Sequence, residues 1–411
     1  MAQYNVYAGT AFKGQLTPNK IVAGLYNAII AHYTEANNIK SMASKLVNMF
    51  KMDGSVYGDK YLYTSLDINK TGEFTGTDYN VLEPEPFDAP YTQAITIDTF
   101  RQTAVTISDY LTKAAWENEY SFSNFIGVLL TFLEDTKRVY ECSLVNTYVG
   151  STSTSLGKQT QIVTFEADTT GVEAQNRLNA QTIAKAVADV VVDLTNPSRD
   201  YNDIGFMRSY NPEDLVCIFP ASKKNAITYL DEPTIFHKDG LFSNLENVVL
   251  PDNYFLKTTS DPVPFNTLDS TTTIYAIKEM DCTYTYKGGA GGVDTYTRVV
   301  HSFPGNHITK EVAIVNKKGN TAMATLDSYK LDGAPSATST EFEAGDFGVI
   351  DDTVLVKILS KDSIKFMSGF SVGTSFWNPK SLSTNHYLTW SHSSLNYLKD
   401  KPFITLKKAA Q

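Results

Sequence analysis

Residues 121–149 constrain the fold more than any other stretch of the chain, because their apolar side chains recur at helical spacing. The series is Phe122, Phe125, Ile126, Leu129, Leu130, Leu133, Tyr140, Leu144, Val145 and Tyr148. Ser121 or Ser123 can cap the first free N–H groups, and Gly150 can take the left-handed position at the C-terminal end. The predicted helix is roughly 40 Å long at 1.5 Å per residue. We expect the neighbouring elements to pack along it as on a spine.

The composition indicates an ordinary folded protein of two or three domains. The chain has 411 residues, of which 42% are hydrophobic and 19% are charged. Its apolar runs fall short of the ~18–20 residues that a membrane-spanning helix needs. The first residues lack the pattern of a signal peptide. We therefore expect no membrane partner, and folding in a cytoplasm.

The charge and the cysteines exclude two further classes of protein. Counterion release needs clustered Lys and Arg, but the net charge is −10 and no basic run exceeds a pair. Tight binding of nucleic acid is not expected. The charge balance is nevertheless compatible with a container whose inner wall does not grip the nucleic acid that it encloses. Cys142, Cys217 and Cys282 are odd in number and far apart, so we expect small buried side chains rather than a disulfide framework or a zinc site.

The segments before the long helix predict an arm and a ribbon. Residues 1–54 indicate a polar arm and two helices, the second ending near Asp53. Residues 55–68 and 94–107 alternate as two strands, with a polar stretch between them. An isolated ribbon of two strands is marginal in water. We therefore expect the hairpin, residues 55–115, to have little core of its own and to lie on a neighbouring copy of the chain.

The segments after the long helix predict an inserted domain and a return. The pattern indicates a helix over residues 173–194, a buried strand over 214–219, and short strands and hairpins over 245–300. Strands are predicted again at residues 354–359, 364–370, 387–390 and 403–406. This order indicates an α+β fold in which the last strands complete the domain of the long helix and a second domain is inserted between.

Three local patterns imitate functional motifs but lack the required context. The Gly-x-Ser-x-Gly pattern of residues 369–373 matches a nucleophile elbow. However, no helix pattern follows, and no carboxylate lies between Ser371 and the next histidines, His386 and His392. Residues 67–78 resemble a calcium loop, but Asp78 stands in place of the usual Glu and the flanks predict strands. The glycines of residues 288–292 do not open a helix, as a dinucleotide site requires. A polar turn is expected at residues 67–78, and the sequence does not decide whether this turn binds calcium.

The remaining histidines and aromatic residues favour a structural role. The histidines show no HExxH spacing, and ordinary sheet positions explain His386 and His392. The sequence therefore predicts no enzyme and no catalytic, cofactor-binding or metal-binding residues. The 24 Tyr, 22 Phe and 3 Trp residues favour an assembling protein, because aromatic residues are enriched at protein interfaces.

The order of elements resembles that of the major capsid proteins of tailed bacteriophages, which have the Hong Kong 97-type fold. The likeness is carried by residues 109–116 before the helix of Phe122 to Tyr148, by 198–202 before the strand 210–219, and by 354–366, 378–379 and 387–390. These stretches look like the family's lead-in to its spine helix, the start of its inserted sheet and its C-terminal return. The likeness covers about residues 55–406 and is closest to small short-tailed phages of Gram-positive bacteria with protein-primed DNA replication.

The resemblance implies five regions. They are an N-terminal arm with helices (1–54), an extended hairpin or E-loop (55–115), a peripheral domain with the spine helix (116–171), an axial domain (172–345) and return strands of the peripheral domain (346–411). No immunoglobulin-like tail domain is expected after the return strands.

The resemblance also implies a function in assembly. The chain would form hexamers and pentamers of an icosahedral or prolate shell in the virion, assembled in the host cytoplasm. A scaffolding protein and a portal are expected partners, and double-stranded DNA would be held by enclosure without specific binding. Deletion of residues 60–104 is expected to leave a folded subunit that cannot close shells.

Two other classes of protein stay open at this point. A phage connector or tail component predicts rings or tubes instead of closed shells. A cytoplasmic enzyme predicts a compact monomer or small oligomer with a deep polar pocket, and the long hairpin argues against it.

Overall fold

The computed structural model describes residues 45–53, 60–69, 71, 88–108, 119–167, 171–224, 245–258, 261–268, 273–288, 294–315 and 321–409. The longer helices in these ranges are α1 (Lys45–Phe50), α2 (Glu119–Ser151) and α3 (Val172–Thr195). The strands are β1 (Lys51–Asp53), β2 (Lys60–Ser65), β3 (Tyr91–Ser108), β4 (Thr160–Val163), β5 (Leu215–Pro220), β6 (Glu246–Leu250), β7 (Leu256–Thr258), β8 (Val263–Pro264), β9 (Ile274–Ala276), β10 (Met280–Gly288), β11 (Asp294–Ser302), β12 (His307–Ile308), β13 (Glu311–Val315), β14 (Thr321–Leu331), β15 (Glu341–Phe342), β16 (Phe347–Ile350), β17 (Val354–Ser360), β18 (Phe366–Asn378), β19 (Ser383–Ser393) and β20 (Phe403–Lys408). The fold is α+β and rich in strands, as predicted.

A five-stranded sheet, which we call the central sheet, has the order β4-β20-β17-β5-β6 and carries helices on both faces. Along β5, Leu215, Cys217 and Phe219 pack in one core with α3. Val216 and Ile218 pack in the other core with α1 and α2. Because both faces are covered, every residue of β5 is buried, and its sequence is a continuous apolar run instead of an alternating one.

The spine helix predicted from periodicity is confirmed, because α2 spans Glu119–Ser151. At 1.5 Å per residue it is about 50 Å long. The expected role of Gly150 is wrong, since it lies inside the helix and is not among the residues with positive φ. A Cβ at Gly150 would lie 2.1 Å from the carbonyl oxygen of Tyr254. The glycine therefore permits a close approach of two backbones instead of ending the helix.

A second five-stranded sheet, which we call the long sheet, has the order β1-β18-β19-β3-β2. β3 pairs with β2 over residues 91–96 and with β19 over residues 97–108. Ile95 and Ile97 are buried against Met367 and Leu398. The expectation that the hairpin has little core of its own is therefore wrong for its base, because tertiary pairing adds the strands that the local pattern lacks. Residues 54–59, 70 and 72–87 lie outside the described ranges.

This pairing also corrects the expected effect of deleting residues 60–104. That segment includes most of β3, which lies between β2 and β19 in the long sheet. Its removal would take β2 and most of an interior strand out of the long sheet, so the deletion would not leave the fold intact. A deletion that tests the hairpin must be confined to residues 70–87.

Residues 256–350 form a third part of the subunit, which we call the β module. Its largest sheet has the order β11-β10-β14-β13, and a second one has the order β12-β9-β16-β7. The two share a core in which the rings of Phe265, Tyr329 and Phe342 contact one another. The predicted short strands and hairpins of residues 245–300 are confirmed here. Gly288, where the glycine tract begins, is the last residue of β10 and pairs with Asp294, and residues 289–293 lie outside the described ranges.

The last strands belong to two different sheets. β18 and β19 join the long sheet, whereas β17 and β20 lie in the central sheet, where β17 pairs directly with β5. The central sheet thus combines strands from the predicted axial region, residues 172–345, with strands from the predicted return, residues 346–411. The apolar pattern identifies each of these strands but does not identify its partners.

The described N-terminal part is short. Leu46, Val47 and Phe50 of α1 are buried against the spine helix and the central sheet. The helix predicted to reach Asp53 ends at Phe50, because the next three residues pair with β18 as the parallel strand β1. The predicted arm and the first helix lie outside the described residues. No helix in the described ranges has both the length and the apolar content needed to span a membrane.

Candidate assembly surface

The outer half of β18 is an open edge of the long sheet. β1 pairs with β18 only over residues 366–368, and beyond that point β19 is its one partner among the described strands. Residues 371–377 are exposed at seven successive positions. A strand with one covered face alternates between buried and exposed side chains, so this stretch is uncovered on both faces.

Large apolar side chains lie along this open edge. Val372, Phe376 and Trp377 are 43%, 64% and 50% exposed. The turn that leads into β19 carries Leu382, which is exposed and has a φ of 51°. A leucine in the left-handed region is strained by about 1–3 kcal/mol, and such strain persists where a functional geometry requires it. An exposed strand edge with apolar residues is a template for pairing with another chain.

The base of the hairpin is held by a loop between α3 and β5. We call residues 198–208 the base loop. Asp67, which follows β2, accepts hydrogen bonds from Met207 N at 2.9 Å and from Arg199. Burial disfavours the charged form of Asp67, but these hydrogen bonds outweigh that effect and its pKa lies below its ordinary value. Arg208 donates to the carbonyl oxygen of Leu66 at 3.0 Å.

The base loop owes its shape to Asn202. The side-chain oxygen of Asn202 accepts hydrogen bonds from the backbone N–H groups of Gly205 (2.6 Å) and Phe206 (2.9 Å). Its amide nitrogen donates to Phe206 O at 2.7 Å. Gly205 has a φ of 77°, which glycine adopts at little cost. The loop therefore holds Met207, Arg199 and Arg208 in a fixed arrangement.

A segment near the C-terminus, residues 394–400, holds the hairpin from a second side. The hydroxyl of Tyr63 donates to Asp400 at 2.8 Å, and burial together with this carboxylate raises the pKa of Tyr63 well above its ordinary value. Gln93 of β3 bridges two backbone groups, since it donates to Tyr397 O at 3.0 Å and accepts from Lys399 N at 3.2 Å. Hydrogen bonds thus reach both strands of the hairpin.

Asp203 joins the base loop to this C-terminal segment. Its carboxylate accepts from Lys399 Nζ at 2.8 Å, from the Tyr397 hydroxyl at 2.5 Å and from Gln159 at 2.5 Å. Burial opposes its ionisation, but these donors outweigh burial and hold the pKa of Asp203 below its ordinary value. Its backbone N–H also donates to Lys399 O.

Arg101 links the long sheet to the spine helix and the β module. Its guanidinium pairs with Glu279 at 3.1 Å and with Asp332, and it donates to the Tyr140 hydroxyl at 3.2 Å. On β11, His301 lies between Glu279 and Asp281. The hydrogen bond with Glu279 raises the pKa of His301 to about 9; burial opposes this shift, and Asp281 adds to it. These charges connect three parts of the subunit.

The imitated motifs are parts of the structural framework. Ser371 lies in β18 opposite Trp390, so no elbow exists there. His386 and His392 lie in β19, as predicted. Asp67 binds protein groups, and Asp78 lies outside the described residues. All three cysteines are buried thiols, which confirms the interpretation as small core residues. In the ranges that the structure covers, no group of His, Cys, Asp and Glu side chains is arranged to hold a metal ion.

Sequence reasoning missed the residues that hold the hairpin and those that line the open edge. Asp67, Asp203 and Asp400 are far apart in the sequence, and no local signal connects them. The open edge had a weak local signal, because Phe376 and Trp377 are adjacent in a strand where one of two neighbours normally faces solvent.

Two solved phage structures have a similar fold. One is a chain of the capsid structure of Staphylococcus phage Andhra, which is 11% identical, covers 88% of this chain and 84% of that chain, and gives a TM-score of 0.54. The other is a chain from the structure of the head fiber and inner core protein gp22 of native bacteriophage P68, with 11% identity, coverage of 88% and 83%, and a TM-score of 0.50. At this identity the likeness shows the fold alone. No curated protein matches the sequence.

The fold is that of a phage capsid protein, and the sequence identifies the family. The model of the Phi29-like phage major capsid protein family matches residues 19–406, so the chain belongs to that family. It is a major capsid protein, a structural component of the virion that forms the shell. The predicted resemblance and function are confirmed. The particular likeness to phages with protein-primed replication stays a prediction.

Proposed function

We propose that this major capsid protein assembles through hexamers and pentamers into an icosahedral or prolate shell, and that the open edge of β18 is one of its contacts with another copy. The observation that carries the proposal is the exposed stretch of residues 371–377, with Phe376 and Trp377 at its end. Burial of apolar surface is worth about 25 cal/mol per Å². Many such contacts, each weak, add up when a closed assembly forms.

The hairpin supplies a second contact in this proposal. Residues 66–90 connect β2 to β3, and Leu66 and Ile68 on the described side of this connection are 51% and 61% exposed. We propose that the hairpin extends across a neighbouring subunit while its base stays in the long sheet. We propose that the N-terminal, peripheral and axial regions have the predicted boundaries, and that the peripheral and axial regions share the central sheet.

The remaining roles follow from charge and from the family. A net charge of −10 favours a wall to which DNA does not adhere, so we propose that double-stranded DNA is retained by enclosure. A scaffolding protein and a portal are the proposed partners, assembly is proposed to occur in the host cytoplasm, and no catalytic role is proposed for any residue.

Replacing the two aromatic residues at the edge tests the proposal. Phe376→Ser combined with Trp377→Ser is expected to leave the unassembled subunit folded, because both side chains are exposed, and to reduce the yield of shells at least tenfold, a loss that corresponds to about 1.4 kcal/mol. Shell yield is measured by sedimentation and electron microscopy. Val172→Ser removes an apolar side chain that is 80% exposed on α3 and serves as the control. A normal yield from the double variant contradicts the role of the edge.

A further inference from the structure

Three carboxylates tie the hairpin base, the base loop and the C-terminal segment to one another in pairs. Asp67 joins the hairpin to the base loop through Arg199 and Met207 N. Asp203 joins the base loop to the C-terminal segment through Lys399. Asp400 completes this set of three carboxylates, which we call the triangle. The side chain of Asp400 is 1% exposed, and it accepts from Tyr63 of the hairpin at 2.8 Å and pairs with Arg208 of the base loop at 3.4 Å.

The positions of these contacts restrict rotation of the hairpin. One contact would act as a hinge, but the base is held after β2 at Asp67, within β2 at Tyr63 and within β3 at Gln93. A fourth contact lies further along β3, where Asp98 accepts from Ser394 N at 2.9 Å. Because both strands are held, the base of the hairpin cannot rotate about a single contact.

The triangle is more than a set of surface ion pairs, which contribute little on their own. Asp400 and Asp203 have side chains that are 1% and 5% exposed. Hydrogen bonds to charged groups are about twice as strong as neutral ones. Removal of one partner leaves a buried charge without compensation, which is costly. Each corner therefore favours one arrangement of the three segments.

We propose that the triangle of Asp67, Asp203 and Asp400 fixes the direction in which the hairpin leaves the subunit, and that this direction sets the curvature of the shell. The inference rests on the proposed function, in which the hairpin lies on a neighbouring subunit. An angle that each subunit holds within a narrow range is repeated in hexamers and pentamers alike, and a repeated angle determines where the assembly closes. Asp67, Asp203 and Asp400 are positioning residues for assembly, which hold the hairpin from a distance.

The test uses the full chain and its genomic neighbours, and compares wild type with Asp67→Asn and Asp203→Asn. Asp352→Asn makes the same change of charge at an exposed site outside the triangle and is the matched control. Gln93→Leu removes the two bridging hydrogen bonds without changing charge, and it provides a second route if an aspartate variant fails to fold. The readouts are urea unfolding of the unassembled subunit, amide hydrogen exchange in Lys60–Ser65, and shell diameter by cryo-electron microscopy.

We expect the variants to stay folded. We expect their amide hydrogen exchange in β2 to rise on the order of tenfold, equivalent to about 1.4 kcal/mol. Their shells are expected to vary in diameter or to fail to close. The control keeps the exchange and the diameter of wild type. Unchanged exchange, or faster exchange with shells of the wild-type diameter, overturns the inference. If wild type itself forms no shells, the proposed function fails, and the exchange in β2 then still decides whether the triangle anchors the hairpin.

Discussion

Lys357 is a completely buried lysine at the point where the spine helix ends on the central sheet. It lies in β17 with 1% of its surface exposed, and its Nζ donates to the carbonyl oxygens of Val149 at 2.8 Å and of Thr152. Carbonyl groups at a helix C-terminus favour a nearby cation. Burial lowers the pKa of Lys357 to about 7, and Lys407 contributes in the same direction.

The lowered pKa of Lys357 predicts how stability depends on pH. Between about pH 7 and 10.5, the unfolded chain holds a proton on this lysine that the folded chain has released. The free energy of unfolding therefore rises with pH in that window, by at most about 1.4 kcal/mol per unit. Lys357→Met removes this part of the slope. Urea unfolding of the unassembled subunit at several pH values measures it, and identical slopes in wild type and variant contradict the prediction.

At the scale of elements, the end of the spine helix depends on the small size of Gly150. Gly150→Ala gains up to about 1 kcal/mol of helix propensity, but its Cβ would meet the backbone oxygen of Tyr254 at 2.1 Å. Overpacking costs about 1–3 kcal/mol, so a net loss of stability is expected by thermal unfolding. Gly373→Ala is the control, because no atom lies within 4 Å of its Cβ position. Equal stability of the two variants would show that α2 can shift away from Tyr254.

The base of the hairpin is expected to loosen in acid. The pKa values of Asp67 and Asp203 are lower in the folded chain than their ordinary values. Their stabilising contribution is therefore complete above the unfolded pKa, near 3.9, and is lost as the pH falls through the folded values. Hydrogen exchange in β2, corrected for its intrinsic dependence on pH, is expected to accelerate in this range in wild type and less so in Asp67→Asn. The same acid response in both would exclude Asp67 as its cause.

Elements with a strong local pattern could be predicted from the sequence, whereas their partners could not. The apolar period of residues 121–149 is sufficient to predict α2, since a helix is defined by contacts within a few residues. The sequence of β17 likewise predicts a buried strand, but its pairing with β5 and β20 joins residues that are far apart along the chain. The contact of Asp400 with Tyr63 spans 337 positions, and no periodicity reports it.

At the scale of the whole molecule, the subunit combines a central sheet that is covered on both faces with a strand edge that is exposed. The central sheet is covered on both faces by helices, and Arg101 ties the long sheet to the β module. In the part of the chain that the structure describes, the outer half of β18 has β19 as its one partner. Edges of this kind are usually covered in monomeric proteins. The arrangement suits a protein that completes its surface by contact with further copies.

The most direct test of the account is cryo-electron microscopy of this chain, expressed alone and then with its genomic neighbours. The account predicts closed shells built of five- and six-membered rings, in which the edge of β18 from residue 371 to 377 lies against another subunit. Tubes, rings of a single size or a uniform monomer under both conditions would contradict it, and so would closed shells in which this edge faces solvent.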